Sequence, residues 1–275
     1  PQVCVGRGSG GFGHGTQHSN ARAAVGSAGG VDSAWERAVT TKKPRGIGVD
    51  FQAQTRYRRG QLPASRSRVA PRFKVYANPH EIATLPAPQL KGGTGIWSAL
   101  SSARGGEAEG GRIKQAQLSQ LLWAASGFTM GRERVHLSAH GVSSLETYVL
   151  ARNVQDLFAG VYHYDAREHS LAHLDIGDPS EPLAASLLAP LELETQAAVL
   201  CFTGIPLRHS TAEGGRAFRY LYLDAGAAAQ DAILACTALG LASHFIADFY
   251  DDEVSELLQL DTRTEFPLCL VALGS

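Results

Sequence analysis

The chain has 275 residues, enough for one large domain or one domain with a tail, and its 44% hydrophobic fraction can fill a core of that size. With 25 basic and 26 acidic residues the formal net charge is −1, which excludes the whole-chain basic excess of a nucleic-acid binder. That total conceals a split. Up to Arg134 there are 19 Lys and Arg against 7 Asp and Glu, and beyond it 6 against 19, so a half at +12 precedes a half at −13.

Cys4, Cys201, Cys236 and Cys269 form no CxxC pair. The last three lie in apolar runs and read as reduced core thiols. No window reaches eighteen consecutive apolar residues, so no transmembrane helix is expected. The start, PQVCVGRGSGG, lacks the charged and apolar regions of a signal peptide, and a cytoplasmic protein is expected.

Residues 1–48 are Gly-rich, with apolar residues scattered without period, and are expected to form a disordered tail. Within them, DSAWERAVTTK could form a short helix capped by Ser33. GRGSGG (Gly6 to Gly11) matches GxGxxG. It lacks the flanking strand and helix that would aim amides at a pyrophosphate, and reads as low complexity. Residues 49–113 read as an extended arm and linker. RYRRG and SRSR supply much of its charge, and prolines 63, 71, 79, 86 and 88 favour extended backbone.

The folded domain is expected over 114–275. Leu118, Leu121, Leu122 and Ala125 recur at helical spacing and Gly127 sits where that helix would stop. SLETYVLAR reads as a mostly buried strand, and AGVYHYD-AREH-SLAHL as a hairpin. EPLAASLLAPLELE reads as a helix containing a proline, and AAVLCFTGI as a central strand. The longest helix spans about Arg216 to Leu239 and ends at Gly240. SHFIADF reads as a strand, DDEVSELLQL as a helix capped by Asp251 or Asp252, and FPLCLVALG as a final buried strand. Strands alternating with helices around a hairpin indicate an α+β or α/β sandwich.

Three constellations invite chemistry. His136 and His140 lie near Ser138 and Ser143, but GVSSL is not the GxSxG elbow of a serine hydrolase. His163, Asp165, His169 and His173 match no metal-ligand spacing, so no metal is expected. Asp248, Asp251, Asp252 and Glu253 are explained by a helix N-terminus.

LSQLLWAASG, RVHLSAHGVSSLETYVL, GVYHYDAREHSLAHL, the RYLYLDAGAAAQDAILACTALGLAS helix, DDEVSELLQLD and EFPLCLVALG stand in an order that resembles the nitroreductase-like flavoproteins of the SagB/ThcOx type. The resemblance runs from about Thr55 to the last residue. It implies an α+β nitroreductase-like fold with a central mixed sheet flanked by helices, and a homodimer with FMN at its interface. It further implies an oxidoreductase acting on a small-molecule or peptide substrate, with no nucleic-acid or membrane partner.

The implied flavin contacts are Arg104, Ser138, Ala139, His140, Gly226, Gln230, Gly240, Leu241, Ser243, His244 and Phe245. Arg104 is what remains of an Arg-rich phosphate element, and Glu107 stands where the family has a second arginine. His140 replaces a glycine of the family's Pro-Ser-Ala-Gly element, and Ala227 stands where histidine is common. The Lys-Tyr pair of the azoline oxidases is missing near Glu213 and Gly214, and no catalytic acid or base is assigned. The alternative is a flavin-deficient scaffold or partner protein in a biosynthetic complex. The resemblance also implies that the basic arm wraps the core or the dimer partner, so Arg56, Arg58 and Arg59 are expected to meet acidic surface of the same protein or its twin.

Overall fold

The structure, a computed structural model, describes residues 46–60, 70–102, 110–131, 133–142, 144–189, 191–209 and 214–275. The Ser33 helix, the GxGxxG match, SRSR and Arg104 lie outside the described residues. The described elements run α1 (Ile47–Gln54), β1 (Glu81–Thr84), α2 (Ile96–Ser102), α3 (Gln115–Ser126), β2 (Leu145–Ala151), β3 (Gly160–Asp165), β4 (Ser170–Ile176), α4 (Ser180–Ala185), β5 (Ala198–Gly204), α5 (Ala217–Ala238), β6 (Ala242–Ile246), α6 (Asp251–Leu257) and β7 (Phe266–Gly274).

The strands form one sheet in the order β1-β4-β3-β2-β5-β7-β6. Every pairing is antiparallel, so the expected mixed sheet is corrected to an antiparallel one. The reason lies in the crossover. Helix α5 carries the chain from β5 to β6, which point the same way, but β7 returns between them and pairs with both.

Alternation along the strands sorts side chains onto two faces. Val149, Leu200, Phe202 and Val271 pack with α3 and α5, whereas Leu150, Cys201 and Leu270 pack with α4 and α6. β2 and β5 are buried at all seven positions, as strands covered on both faces must be. Helix α3 forms because Leu118, Leu121 and Leu122 share its inner face, and each is fully buried. Each contributes about 2 kcal/mol of apolar burial. It stops at Gly127, whose N–H donates to Trp123 O at 2.8 Å, and where an added Cβ would lie 2.6 Å from that same oxygen. Helix α5 presents Ala225, Ala228, Ala229 and Ala232 to the core, so its axis can approach the sheet closely. Gly240 ends it at φ +69 with Leu241 N–H donating to Cys236 O at 2.9 Å, a left-handed stop that glycine adopts without strain. Cys201, Cys236 and Cys269 are free and buried, and burial pushes the last two thiols up to about 12.

Two local expectations are corrected. EPLAASLLAPLELE does not form one helix: α4 ends at Ala185, and a 3-10 turn follows at Leu193–Thr195. Leu188 N–H donates to Asp248 O and Tyr250 N–H to Ser186 O, so a distant segment takes the backbone groups a longer helix would use. Helix α6 begins after Tyr250, with no side-chain cap. Asp251, Asp252 and Glu253 instead occupy its first turn, where they still complement the helix dipole.

The arm is bound to the sheet through its own elements and a buried polar network. β1 adds an edge strand beside β4. Lys74 Nζ donates to Glu265 at 2.6 Å and to Tyr148 Oη at 2.7 Å, and Lys74 N–H donates to Glu146 at 3.1 Å. Glu146 also pairs with Arg208 and, at 2.8 Å, with His163. Burial opposes its ionisation, but the His163 and Arg208 contacts outweigh burial and hold the carboxyl below the usual range. Arg56, Arg58 and Arg59, expected to carry this contact, are exposed and form no ion pair with described residues. Among the described residues of the arm, the ion pair to the core is made by Lys74 with Glu265.

Candidate functional site

The candidate site is built around the turn after Leu137. Ser138 is extended, His140 lies at φ 58 and ψ 16, and Gly141 lies at φ 61. Two successive left-handed residues reverse the chain within three positions. Glycine does this freely and histidine at a cost of about 1–2 kcal/mol. His140, standing where the related element has glycine, therefore keeps a glycine-like backbone while its imidazole is exposed.

Asp224, in the first half of α5, holds this turn from below. Its carboxylate accepts the Ala139 N–H at 2.8 Å and the Ser144 hydroxyl at 3.1 Å, and Ser138 Oγ lies 3.3 Å away while donating to Val142 O at 2.6 Å. The residue is 1% exposed. Burial raises its pKa, and these hydrogen bonds oppose the rise. One turn earlier, Tyr220 Oη accepts from Arg216 Nε at 2.9 Å and lies 3.2 Å from Tyr57 Oη. The His140 ring meets the Tyr220 ring edge-on at 4.9 Å.

The turn borders a cavity of about 690 Å³, a volume suited to a small ligand. Phe128, Val135 and Leu137 give it apolar walls, and Arg72 and Arg134 give it positive charge, with Glu133 also at the wall. Burial, together with Arg208 and Arg72 nearby, lowers the Arg134 pKa to about 10 against the pull of Glu146. Burial and Arg134 together lower His136 to about 4, so its imidazole is neutral and bonds Ala125 O through Nδ1 at 2.7 Å.

The remaining site candidates lie elsewhere. Gly226 and Gln230 are exposed on α5, and nothing lies within 4 Å of a Cβ built on Gly226. Gly240, Leu241, Ser243, His244 and Phe245 follow the far end of α5. Leu241 and Ser243 are buried, and His244 and Phe245 are exposed on the edge strand β6. Within one chain, Ser138, Ala139 and His140 come together, and the Gly240–Phe245 group does not join them. The hairpin histidines are engaged separately: His163 with Glu146, His169 with Ser119 and Tyr164, and His173 stacked on Tyr162 at 4.2 Å. Among the described residues no three His, Cys, Asp or Glu side chains group as metal ligands. Nor is any described helix long and apolar enough to cross a membrane.

Sequence reasoning missed Asp224, Arg72 and Arg134. For Asp224 a signal existed: with Leu221, Ala225 and Ala228 it falls on the buried stripe of α5, where an acid needs a partner. Arg72 and Arg134 carry no such mark, because their convergence depends on how the arm crosses the sheet.

Comparison with known proteins adds the family. Residues 110–275 match the Nitroreductase family. The nitroreductase-like protein MJ1384 of Methanocaldococcus jannaschii is 33% identical over 159 residues, covering 58% of this chain and 79% of that protein. The crystal structure of a nitroreductase-like protein from Ralstonia eutropha superposes with a TM-score of 0.60 at 23% identity, over 78% of this chain and 94% of that one. A chain of the Escherichia coli microcin synthetase McbBCD complex, with truncated pro-MccB17 bound, superposes with a TM-score of 0.55 at 21% identity, over 83% and 91%. These two likenesses establish the fold.

Proposed function

The chain belongs to the nitroreductase family, and we propose that it is an FMN-dependent oxidoreductase of the SagB type, acting as a homodimer on a small or peptidic substrate. The observation that carries this reading is the Ser138–Ala139 turn, clamped by buried Asp224 and bordering the 690 Å³ cavity. On the resemblance, this turn would face the flavin ring. The cavity fits that use in volume, apolar walls and positive charge. The phosphate element around Arg104 lies outside the described residues.

FMN, if held here, would supply hydride-transfer chemistry. The chain's own residues then have separable tasks. Asp224 fixes the turn, so that Ser138 and Ala139 present a constant surface. Phe128, Val135 and Leu137 offer an apolar wall to an occupant. Arg72 and Arg134 favour an electron-rich occupant electrostatically. On the edge strand β6, backbone amides pointing away from β7 are open to a ligand, because an edge strand has one unpaired side.

Distance supports the homodimer. Asp224 and Ala238 are separated by about 21 Å of helix at 1.5 Å per residue. One ring system therefore cannot touch both the Ser138 turn and the Gly240–Phe245 segment of the same chain. A second copy would supply the missing set. The exposed face of α5, with Tyr222, Leu223, Gly226 and Gln230, offers an apolar and small-residue surface for that meeting.

The test is direct. Full-length protein reconstituted with FMN should retain absorbance near roughly 450 nm after desalting and run as a dimer by light scattering. Protein that stays colourless refutes FMN dependence. It would favour the flavin-free scaffold, the reading supported by Glu107 in the phosphate element.

A further inference from the structure

A second cavity, of about 740 Å³, lies beside the first, and the two share Arg72 and Phe128. Its body is apolar and aromatic, formed by Phe73, Trp123, Tyr164, Leu85 and Pro88. Its charged or titratable side chains are Arg72, Arg167 and His169, with Tyr164 the other polar one, and no carboxylate lines it. That combination, an apolar body with a few convergent polar groups, characterises small-molecule sites.

The walls are held by specific contacts. Phe73 and Phe128 meet edge to face with centroids 6.1 Å apart. Arg167 lies 4.8 Å and Arg72 5.4 Å from the Phe73 centroid, and Arg134 lies 4.5 Å from that of Phe128. A guanidinium stacked on a ring keeps its in-plane N–H groups for other partners. His169 closes the far wall from a left-handed turn at φ 47. Its Nε2 bonds Ser119 Oγ at 2.7 Å and Pro86 O at 3.0 Å, and its Nδ1 bonds Tyr164 Oη at 2.8 Å. These bonds fix the Pro86–Pro88 stretch against α3.

The two cavity arginines differ in what they have left to offer. Arg167 is forked onto Asp165 at 2.7 and 3.2 Å, so its charge is matched. Arg72 is exposed and has no carboxylate partner among the described residues.

We propose that this cavity binds an amphiphilic carboxylate, with an aromatic or bulky apolar body against Phe73, Trp123 and Phe128 and its anionic group on Arg72. Binding itself does not depend on flavin. Its use as a substrate seat rests on the oxidoreductase reading, because Arg72 stands at the wall shared with the Ser138 cavity.

The experiment is calorimetric titration of the full chain with 3-phenylpropionate and with its neutral isostere 3-phenylpropionamide, at low salt. The acid should bind about fivefold more tightly than the amide, the scale of one charge-assisted contact. Arg72→Gln should bring that ratio to about one without weakening the amide. Ala87→Trp, which fills the cavity mouth, should weaken both ligands. Equal binding of acid and amide by the parent protein overturns the proposal, as does a preference that survives Arg72→Gln, or binding of neither probe. A parallel FMN titration keeps the two readings apart. Protein that takes up FMN but not the acid loses only this site, and protein that binds the acid but not FMN loses only the flavin.

Discussion

Lys74 and Glu265, 191 positions apart in sequence, meet at 2.6 Å, with the carboxylate almost fully buried. Glu265 also accepts from Tyr148 at 3.0 Å and Thr203 at 2.5 Å. Burial of Lys74 opposes its charge, but Glu265 outweighs that and raises the ammonium's pKa. Lys74→Met therefore leaves a buried carboxylate with only hydroxyl donors, and should cost about 3 kcal/mol in urea denaturation. The double variant Lys74→Met with Glu265→Gln should recover most of the loss. A single variant as stable as the parent would show that the pair contributes nothing.

His136 should make the fold acid-sensitive. Its folded pKa, about 4, lies below the ordinary 6.5. The unfolded chain therefore binds a proton first, and stability falls as pH drops from about 6.5 to about 4, by up to roughly 3 kcal/mol. Denaturation midpoints at pH 7 and pH 4.5, compared between the parent and His136→Gln, measure this. The variant should show a shallower pH dependence over that window.

Asp231 has the opposite sign. Burial alone raises its carboxyl to about 6, and no described partner opposes the rise. The resulting penalty is absent below pH 3.8 and complete above about 6. Because the site is partly solvated, Asp231→Asn should stabilise the protein by about 1 kcal/mol at pH 7. The gain should vanish near pH 3.5. A loss of stability at pH 7 would show that ionised Asp231 has a favourable partner that outweighs its burial.

His140→Gly should relieve the left-handed strain at φ 58. After the greater freedom of glycine in the unfolded chain is set against it, a gain of about 0.5–1 kcal/mol remains. Thermal unfolding that moves downward instead would show that the edge contact with Tyr220 outweighs the strain.

Asp224→Ala removes the acceptor for Ala139 N–H and the Ser144 hydroxyl. If the turn faces flavin, FMN affinity should fall at least roughly tenfold, equivalent to about 1.4 kcal/mol. Fluorescence titration of FMN reads this directly. Undiminished affinity in a folded variant would place the cofactor elsewhere.

The elements that could be read from the chain are those whose cause is local. Leu118, Leu121 and Leu122 at helical spacing gave α3, the GVYHYD and SLAHL runs gave the hairpin, and Gly240 gave the end of α5. Each is a pattern within a dozen residues, set by backbone period or by one residue's allowed φ. The early stop of α4 was not readable, because Asp248 and Tyr250 take its backbone groups from some sixty residues away. Nor was the antiparallel sheet, which depends on β7 inserting between β5 and β6.

The candidate site divides the same way. Ser138, Ala139 and His140 were named through the family resemblance, and being contiguous they share a turn wherever that turn lies. Only the tertiary structure put Asp224 beneath that turn, 85 positions from Ala139, and brought Arg72 of the arm, Trp123 of α3 and His169 of the hairpin around one cavity. Burial and charge pairing act through space, and separation along the chain does not encode them.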